Sequence, residues 1–291
     1  LELNNRILKG IGGFYYVKTP EGIVECKPKG IFRKRGISPL PGDLVTLSYE
    51  EGSIVITEIA ERKNIFVRPP MANLDLLFLI TSTVEPVPNF LVLDKMCAIA
   101  VDRGITPVIV VTKSDLASPQ YIIKAYEQSG ICVLVADAEN LETLKIIKEM
   151  IAGKLCAFSG NSGVGKSTLL ARLLPELHFE TAAISKKLGR GRHTTRQVEL
   201  YEAFNGLIAD TPGFSSLDME HENLIVKENL QFAFPEFAPY LTKCQFTGCS
   251  HRTEKGCAVR AAVENGSIGT RRYENYLAMY DDAKDIKEWD S

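Results

Sequence analysis

The sequence of 291 residues predicts a multidomain fold: an N-terminal all-β barrel, a central α/β domain on a mostly parallel sheet, and a C-terminal mainly α region. Residues 1–66 hold short β-rich runs separated by Gly, Pro and charged turns. Beyond "VRPP" at 67–70, apolar strands alternate with helical patterns, the signature of a parallel sheet covered by helices. After about residue 217 helix-like segments surround a cluster of cysteines. The boundaries are therefore placed at 1–66, 67–217 and 218–291.

In chain order, "GFYYVKT", "GIVECKP", "DLVTLSYEE" and "GSIVITEIA" read as the strands of a small barrel. "LDLLFLITS" at 74–82 is a continuous apolar run, as in a strand buried on both faces, and "NFLVLDKMCAIAVDRG" after it has helical spacing. Strands at 107–112, 131–135 and 154–159 follow, each trailed by a helix, and then a hairpin of "QVELYEAF" and "GLIAD" turning at Asn205-Gly206.

Composition narrows the function classes. With 45% hydrophobic and 24% charged residues the chain is a soluble globular one, and its longest apolar runs fall short of the ~18–20 residues of a membrane span. No membrane partner is expected. The net charge of -2 excludes a generic polyanion binder, so any nucleic-acid contact is local. The N-terminus has no basic-then-apolar signal pattern, and a cytoplasmic location is expected. The seven cysteines are then reduced thiols or metal ligands rather than disulfides.

"GNSGVGKST" at 160–168 follows a strand and opens a helix "STLLARLL", matching G-x-x-x-x-G-K-S. Gly160, Asn161, Ser162, Gly163, Val164 and Gly165 would wrap backbone N–H groups around phosphates at a helix N-terminus. Lys166 would reach the β- and γ-phosphates; Ser167 would ligate Mg²⁺, with Thr168 beside it. The bland reading is a chance Gly-rich turn. "DTPG" ends the hairpin, offering Asp210 as a water-mediated Mg²⁺ ligand and the Gly213 N–H to the γ-phosphate. Alone, it is a common turn.

A phosphate loop does not choose a base. "TKSD" at 112–115 does: a carboxylate after a strand accepts from guanine N1–H and N2–H₂, a donor pair adenine lacks. Asp115 would read the base, Lys113 would lay its stem against it and brace the phosphate loop, and Thr112 and Ser114 complete the motif. The bland reading makes Ser114 or Asp115 a helix cap. "VADAEN" at 135–140 falls where a backbone N–H contacts guanine O6, at Asp137 or Ala138. The six strands are those of a GTPase sheet with the base motif before the phosphate loop. A circular permutation keeps every strand neighbour and moves only the ends, and the γ-phosphate-sensing segment then leads into the C-terminal region.

Cys244, Cys249, His251 and Cys257 form C-x₄-C-x-H-x₅-C, a closed three-thiolate, one-imidazole set suited to one structural tetrahedral Zn²⁺. Buried thiols or a redox pair are the alternatives. Cys26, Cys97, Cys132 and Cys156 are expected in the core, and His178 and His221 have no companions. In "SKKLGRGRHTTRQVEL", where a first switch belongs, Thr194 or Thr195 would complete the Mg²⁺ shell, with Thr195 preferred. The place of the usual water-orienting Gln, after the DTPG glycine, is Phe214, which cannot hydrogen-bond.

"TKSD", "GNSGVGKST", "GRHTTR", "DTPG" and the Cys/Cys/His/Cys cluster, in this order, resemble the YjeQ/YloQ family of circularly permuted GTPases, the ribosome small-subunit-dependent GTPase A family, over essentially the whole chain. The resemblance implies an OB-fold barrel, a permuted GTPase domain and a zinc domain acting in late maturation of the small ribosomal subunit. It also implies that His193 positions the attacking water. The other reading of that loop is a basic segment in which Lys186, Lys187, Arg190, Arg192 and Arg196 touch rRNA phosphates.

Barrel candidates for RNA are Lys27, Lys29, Arg33, Lys34 and Arg35 near Phe32, with Tyr15 and Tyr16 on a neighbouring strand. Arg271, Arg272, Tyr273 and Tyr276 in the tail read as helix packing. The expected function is Mg²⁺-dependent GTP hydrolysis, stimulated by the small subunit and its rRNA and coupled to release, by a monomer cycling between GTP and GDP. Two rivals stand beside it: a phosphotransferase on a small molecule, and a zinc-containing RNA-binding scaffold with GTP as a structural ligand.

Overall fold

Seven consecutive buried residues, Leu76–Ser82, form a strand that only a sheet covered on both faces can accommodate. In the computed structural model this strand, β8, sits inside a six-stranded sheet with β9 (Thr106–Thr112), β10 (Cys132–Val135), β11 (Leu155–Ser159), β12 (Glu199–Ala203) and β13 (Gly206–Asp210), in the order β10-β9-β8-β11-β13-β12. The structure describes residues 5–50, 52–66, 69–136, 141–174, 198–210 and 225–283, with Asp210 through its backbone alone. β6 (Ile65–Phe66) and β7 (Met71–Ala72) form a separate two-stranded pair. β10 and β9 are parallel, as are β11 and β13, while β12 and β13 form the antiparallel hairpin.

By contact the chain divides into two units, Leu1–Leu76 with Ile147–Phe158 and Leu170–Phe214, and Leu77–Ile146 with Ser159–Leu169 and Ser215–Ser291. In the first, β1 (Arg6–Ile11), β2 (Phe14–Thr19), β3 (Gly22–Pro28), β4 (Val45–Glu50) and β5 (Ser53–Ile59) run in order β1-β2-β3-β5-β4. An antiparallel bridge between Arg6 and Leu44 closes β1 against the entry to β4, and Ile7 N–H donates to Asp43 O at 2.9 Å. This is OB-fold connectivity, and its core is Ile7, Val17, Cys26, Phe32, Val45 and Ile56.

Two barrel elements differ from the sequence reading. β1 lies in a stretch not read as a strand, because its two buried residues, Ile7 and Leu8, are adjacent and break the period of two; the register also shifts between Ile7 and Lys9. Phe32, grouped with the basic RNA candidates, is buried at 7% exposure in a short helix, α1 (Gly30–Lys34), so its ring packs the core. Lys29 pairs with Glu50 at 3.0 Å and Lys27 lies 4.6 Å over the Phe14 ring.

The hairpin is also displaced by one residue. Ala203 pairs with Gly206, and Phe204 and Asn205 take φ of 51° and 58°, so they are the turn's central residues. Gly206 begins β13, where a Cβ would stand 2.1 Å from the Ile151 carbonyl oxygen. The glycine serves a close approach of backbones rather than the turn.

In the second unit, α2 (Phe90–Asp102) is capped by Asn89, whose side chain accepts from Leu91 and Val92 N–H. It packs with α3 (Gln120–Tyr126) and with the C-terminal helix Thr270–Asp282 around a buried charged cluster. Arg272 Nη1 donates to Asp94 at 2.6 Å and its Nε donates to Glu236 at 2.7 Å; all three side chains are at most 4% exposed. Tyr126 and Asn275 donate to the same Asp94 at 2.7 and 2.6 Å. Of the four tail residues expected to pack, Arg272 is 3% and Tyr276 1% exposed and Tyr273 is half-buried, whereas Arg271 is exposed. Cys26, Cys97 and Cys156 are buried as expected, but Cys132 is exposed, because β10 is an edge strand and Cys132 is its first residue. Among the described residues no helix is long and apolar enough to cross a membrane.

Candidate nucleotide and metal sites

The phosphate loop and the base motif meet through one side chain. Thr112, the last residue of β9, places its hydroxyl 2.5 Å from the Val164 carbonyl and 3.1 Å from the Thr81 carbonyl; with one proton, it donates to the nearer. Gly165, at φ 86°, lies against it: a Cβ there would be 3.3 Å from Thr112 Oγ1. At Gly160 a Cβ would come within 2.7 Å of the Ile80 carbonyl oxygen. Both glycines are needed for the close approach, and Gly163, at φ 82°, for the turn. The helix Lys166–Leu173 begins at the motif lysine, as the pattern requires.

Asn161, Ser162, Gly163, Ser167 and Thr168 are exposed at the loop, Val164 is buried, and Gly165 and Lys166 are half-buried. Lys113, at φ 56°, donates its ammonium to the Glu85 carbonyl. That carbonyl lies beside Gly163, whose Cβ would be 3.9 Å from it, so Lys113 reaches the phosphate loop's flank by way of Glu85. Asp115 is exposed at the end of the motif. The Ser114 hydroxyl is buried with no hydrogen-bond partner among the described residues. Such an atom is uncommon in a folded chain and calls for a water or a ligand. Asp137, Ala138, His193, Thr194, Thr195, Gly213 and Phe214, with the basic residues Lys186 to Arg196, lie outside the described residues, as do His178 and His221.

The four residues of the cysteine cluster are gathered with all their donor atoms within 4.8 Å of one another. His251 Nδ1 lies 3.6 Å from Cys244 Sγ and 3.4 Å from Cys257 Sγ. A tetrahedral Zn²⁺ with its usual bond lengths separates a thiolate sulfur from an imidazole nitrogen by about 3.6 Å, so the donor set fits. The other ring nitrogen, Nε2, lies 3.0 Å from the Gln231 side-chain oxygen, which fixes it as the protonated one and leaves Nδ1 for a metal. Burial lowers the His251 pKa, favouring the neutral, ligating form. Tyr273 and Tyr276 donate to the carbonyls of His251 and Ser250 at 2.7 and 2.9 Å, and Glu254 accepts from the N–H groups of Ser250 and Arg252 at 2.7 and 2.9 Å. Sequence reasoning missed Gln231 and Glu254, since neither belongs to a ligand pattern.

A nucleotide loop joined to a base motif that precedes it in the chain, on a sheet with rotated strand order, defines a circularly permuted phosphate-loop GTPase. Comparison with known proteins agrees. The RsgA GTPase model matches residues 59–220, and the RsgA N-terminal domain model matches residues 5–54. A relative from Clostridium beijerinckii, named small ribosomal subunit biogenesis GTPase RsgA, is 43% identical, with 94% of this chain and 95% of that protein aligned. One of the same name from Bacillus cytotoxicus is 41% identical, covering 97% of this chain and 98% of its own length. Among solved structures, YloQ, described as a circularly permuted GTPase, superposes with TM-score 0.79 at 34% identity, covering 97% of this chain and 95% of that one. YjeQ from Thermotoga maritima gives 0.82 at 29% identity, with 97% and 99% covered. The chain belongs to the RsgA GTPase family.

Proposed function

We propose that this GTPase acts in maturation of the small ribosomal subunit, with hydrolysis stimulated by the subunit and its rRNA and used to time release. The name shared by its relatives supports the partner, and the Thr112–Val164 bond, which joins base motif to phosphate loop, supports the single guanine-nucleotide site. In this reading Asp115 pairs with guanine, and residues 160–168 hold the phosphates of GTP or GDP. Lys166 neutralises the β- and γ-phosphates, and Ser167 ligates Mg²⁺ with Thr195 and, through water, Asp210. His193 positions the attacking water, Phe214 having displaced the usual glutamine. The unpartnered Ser114 hydroxyl supports a ligand at this loop.

Cys244, Cys249, His251 and Cys257 would hold one structural Zn²⁺, and that ion would crosslink the loop between the C-terminal helices. The division at 1–66, 67–217 and 218–291 into RNA-binding barrel, GTPase and zinc domain, a monomeric state and a cytoplasmic location complete the proposal. Lys27, Arg33, Lys34 and Arg35 remain the barrel's candidates for phosphate contacts.

The test is GTP turnover titrated with purified small subunits, large subunits and competing ATP. Stimulation by small subunits alone, insensitive to ATP, is the expected outcome; equal stimulation by both subunits, or none, refutes the partner. Replacing Asp115 by Asn examines the base reading separately, since the variant should lose GTP and gain xanthosine triphosphate.

A further inference from the structure

Lys113 stands in the left-handed backbone region, φ 56°, which a long side chain leaves unless its neighbours hold it. The local N–H groups of Leu116 and Ala117 reach its carbonyl at 3.0 and 3.4 Å, and the contacts that tie it to the sheet come from a residue thirty positions earlier. Thr83, 2% exposed, donates its hydroxyl to the Lys113 carbonyl at 2.6 Å, and its backbone N–H donates to the Thr112 carbonyl at 3.1 Å. The Thr83 carbonyl in turn accepts from the Tyr121 hydroxyl at 2.8 Å. All three polar groups of Thr83 are thus engaged at the point where β9 leaves the sheet and becomes the base motif. Tyr121 is 38% exposed, and its ring meets Phe90 edge-on at 6.2 Å and 78° while the Arg271 guanidinium lies 4.1 Å over that Phe90.

We propose that Thr83, oriented by Tyr121, is a positioning residue for guanine recognition: it locks the Lys113 backbone so that Asp115, two residues on, is presented to the base. The proposal rests on the reading of Asp115 as the base-pairing carboxylate. Without the Thr83 hydroxyl the Lys113 carbonyl keeps only the N–H groups of Leu116 and Ala117, at 3.0 and 3.4 Å within its own turn, and loses the one donor that ties it to the neighbouring strand, so the whole turn, Asp115 included, can shift. The phosphate loop is held by a different bond, from Thr112 to Val164, so phosphate contacts survive the change. The effect therefore falls on base affinity and base choice rather than on the chemical step.

The experiment compares the full-length wild type with Thr83→Val, which keeps the shape and removes the hydroxyl, Thr83→Ser, which restores it, and Tyr121→Phe. Affinity for fluorescently labelled GDP is measured with kcat and KM for GTP and for inosine triphosphate, which lacks the guanine N2 donors. Thr83→Val should weaken GDP binding and raise KM for GTP by about tenfold, narrow the preference for GTP over inosine triphosphate, and leave kcat within about twofold; Thr83→Ser should recover most of the loss. Tyr121→Phe should give a smaller change of the same kind, about threefold, and carries the test if Thr83→Val does not fold. Wild-type affinity and base preference in a folded Thr83→Val, or in Tyr121→Phe when it stands in, overturns the proposal. So does a loss confined to kcat. Asp115→Asn, run in parallel, separates the causes: a switch to xanthosine triphosphate with unaltered Thr83→Val leaves the base reading intact and removes only Thr83's role, whereas no switch removes both.

Discussion

The Thr112 hydroxyl and the Val164 carbonyl oxygen lie 2.5 Å apart although the residues are 52 positions apart in sequence. That contact is why the order of motifs along the chain does not matter to the site. β9 ends at Thr112 and the phosphate loop follows β11, and permuting the chain ends leaves both strands where they were. The hydroxyl is 7% exposed as part of its residue and spent on protein, so Thr112 holds the loop rather than offering itself to a ligand.

Thr112→Val should therefore weaken nucleotide binding without abolishing the fold. It removes the donor to Val164 and leaves a buried carbonyl unpaired, a cost of about 1–3 kcal/mol, or roughly five- to 150-fold if expressed wholly in binding. Titration of GDP against the folded variant, with thermal melting in parallel, measures how the cost divides.

Gly160→Ala should be worse than its size suggests. The new methyl would meet the Ile80 carbonyl oxygen at 2.7 Å, a backbone atom that cannot swing aside. Overpacking of this kind costs about 1–3 kcal/mol, and here the displaced segment is the phosphate loop. Loss of GTP turnover together with a lowered denaturation midpoint is expected; a variant with normal turnover and stability would show that the loop shifts freely.

The strand, loop and helix around residues 160–168, the six strands and the gathering of the cysteine cluster were legible because each is a local pattern whose residue types have fixed physical jobs. What was not legible depends on contacts between distant positions. Thr83 and Tyr121 carry no motif, and their bonds reach 30 and 38 residues along the chain. Gln231 meets His251 across 20 residues, and Arg272 meets Asp94 across 178. Phe32 was misplaced for the opposite reason: its neighbours Arg33, Lys34 and Arg35 are a conspicuous basic run, and on a short helix the one apolar ring turned inward while the charges stayed out. Asn205-Gly206 matched a turn signal one residue late because Gly206 answers a steric need that the sequence does not display.

The cluster of Cys244, Cys249, His251 and Cys257 should bind one Zn²⁺ per chain, read as metal content of protein purified without added zinc. Cys257→Ser should lower that content and destabilise the loop that Tyr273 and Tyr276 clasp. Gln231→Leu should lower zinc affinity by a further, smaller step of about tenfold, because the imidazole loses the acceptor that fixes its ligating nitrogen. Competition with a chelator of known affinity distinguishes the two variants. Equal zinc content and affinity in all three proteins would mean that this cluster is not where the metal is held.

Arg272 should be the residue of the C-terminal helix least tolerant of change. It is 3% exposed between Asp94 and Glu236, and those two carboxylates outweigh the desolvation that would otherwise lower its pKa, raising it above its ordinary value. Arg272→Leu strands two buried acids, at about 3–5 kcal/mol for the broken pair. Replacing all three residues together, Arg272→Leu with Asp94→Leu and Glu236→Leu, removes the stranded charges and should restore part of that loss, although Tyr126 and Asn275 lose their acceptor at Asp94. Chemical denaturation of the single and triple variants checks this: a single variant near wild-type stability, or a triple variant less stable than the single, would mean that the ion cluster is not what fastens the C-terminal helix to α2.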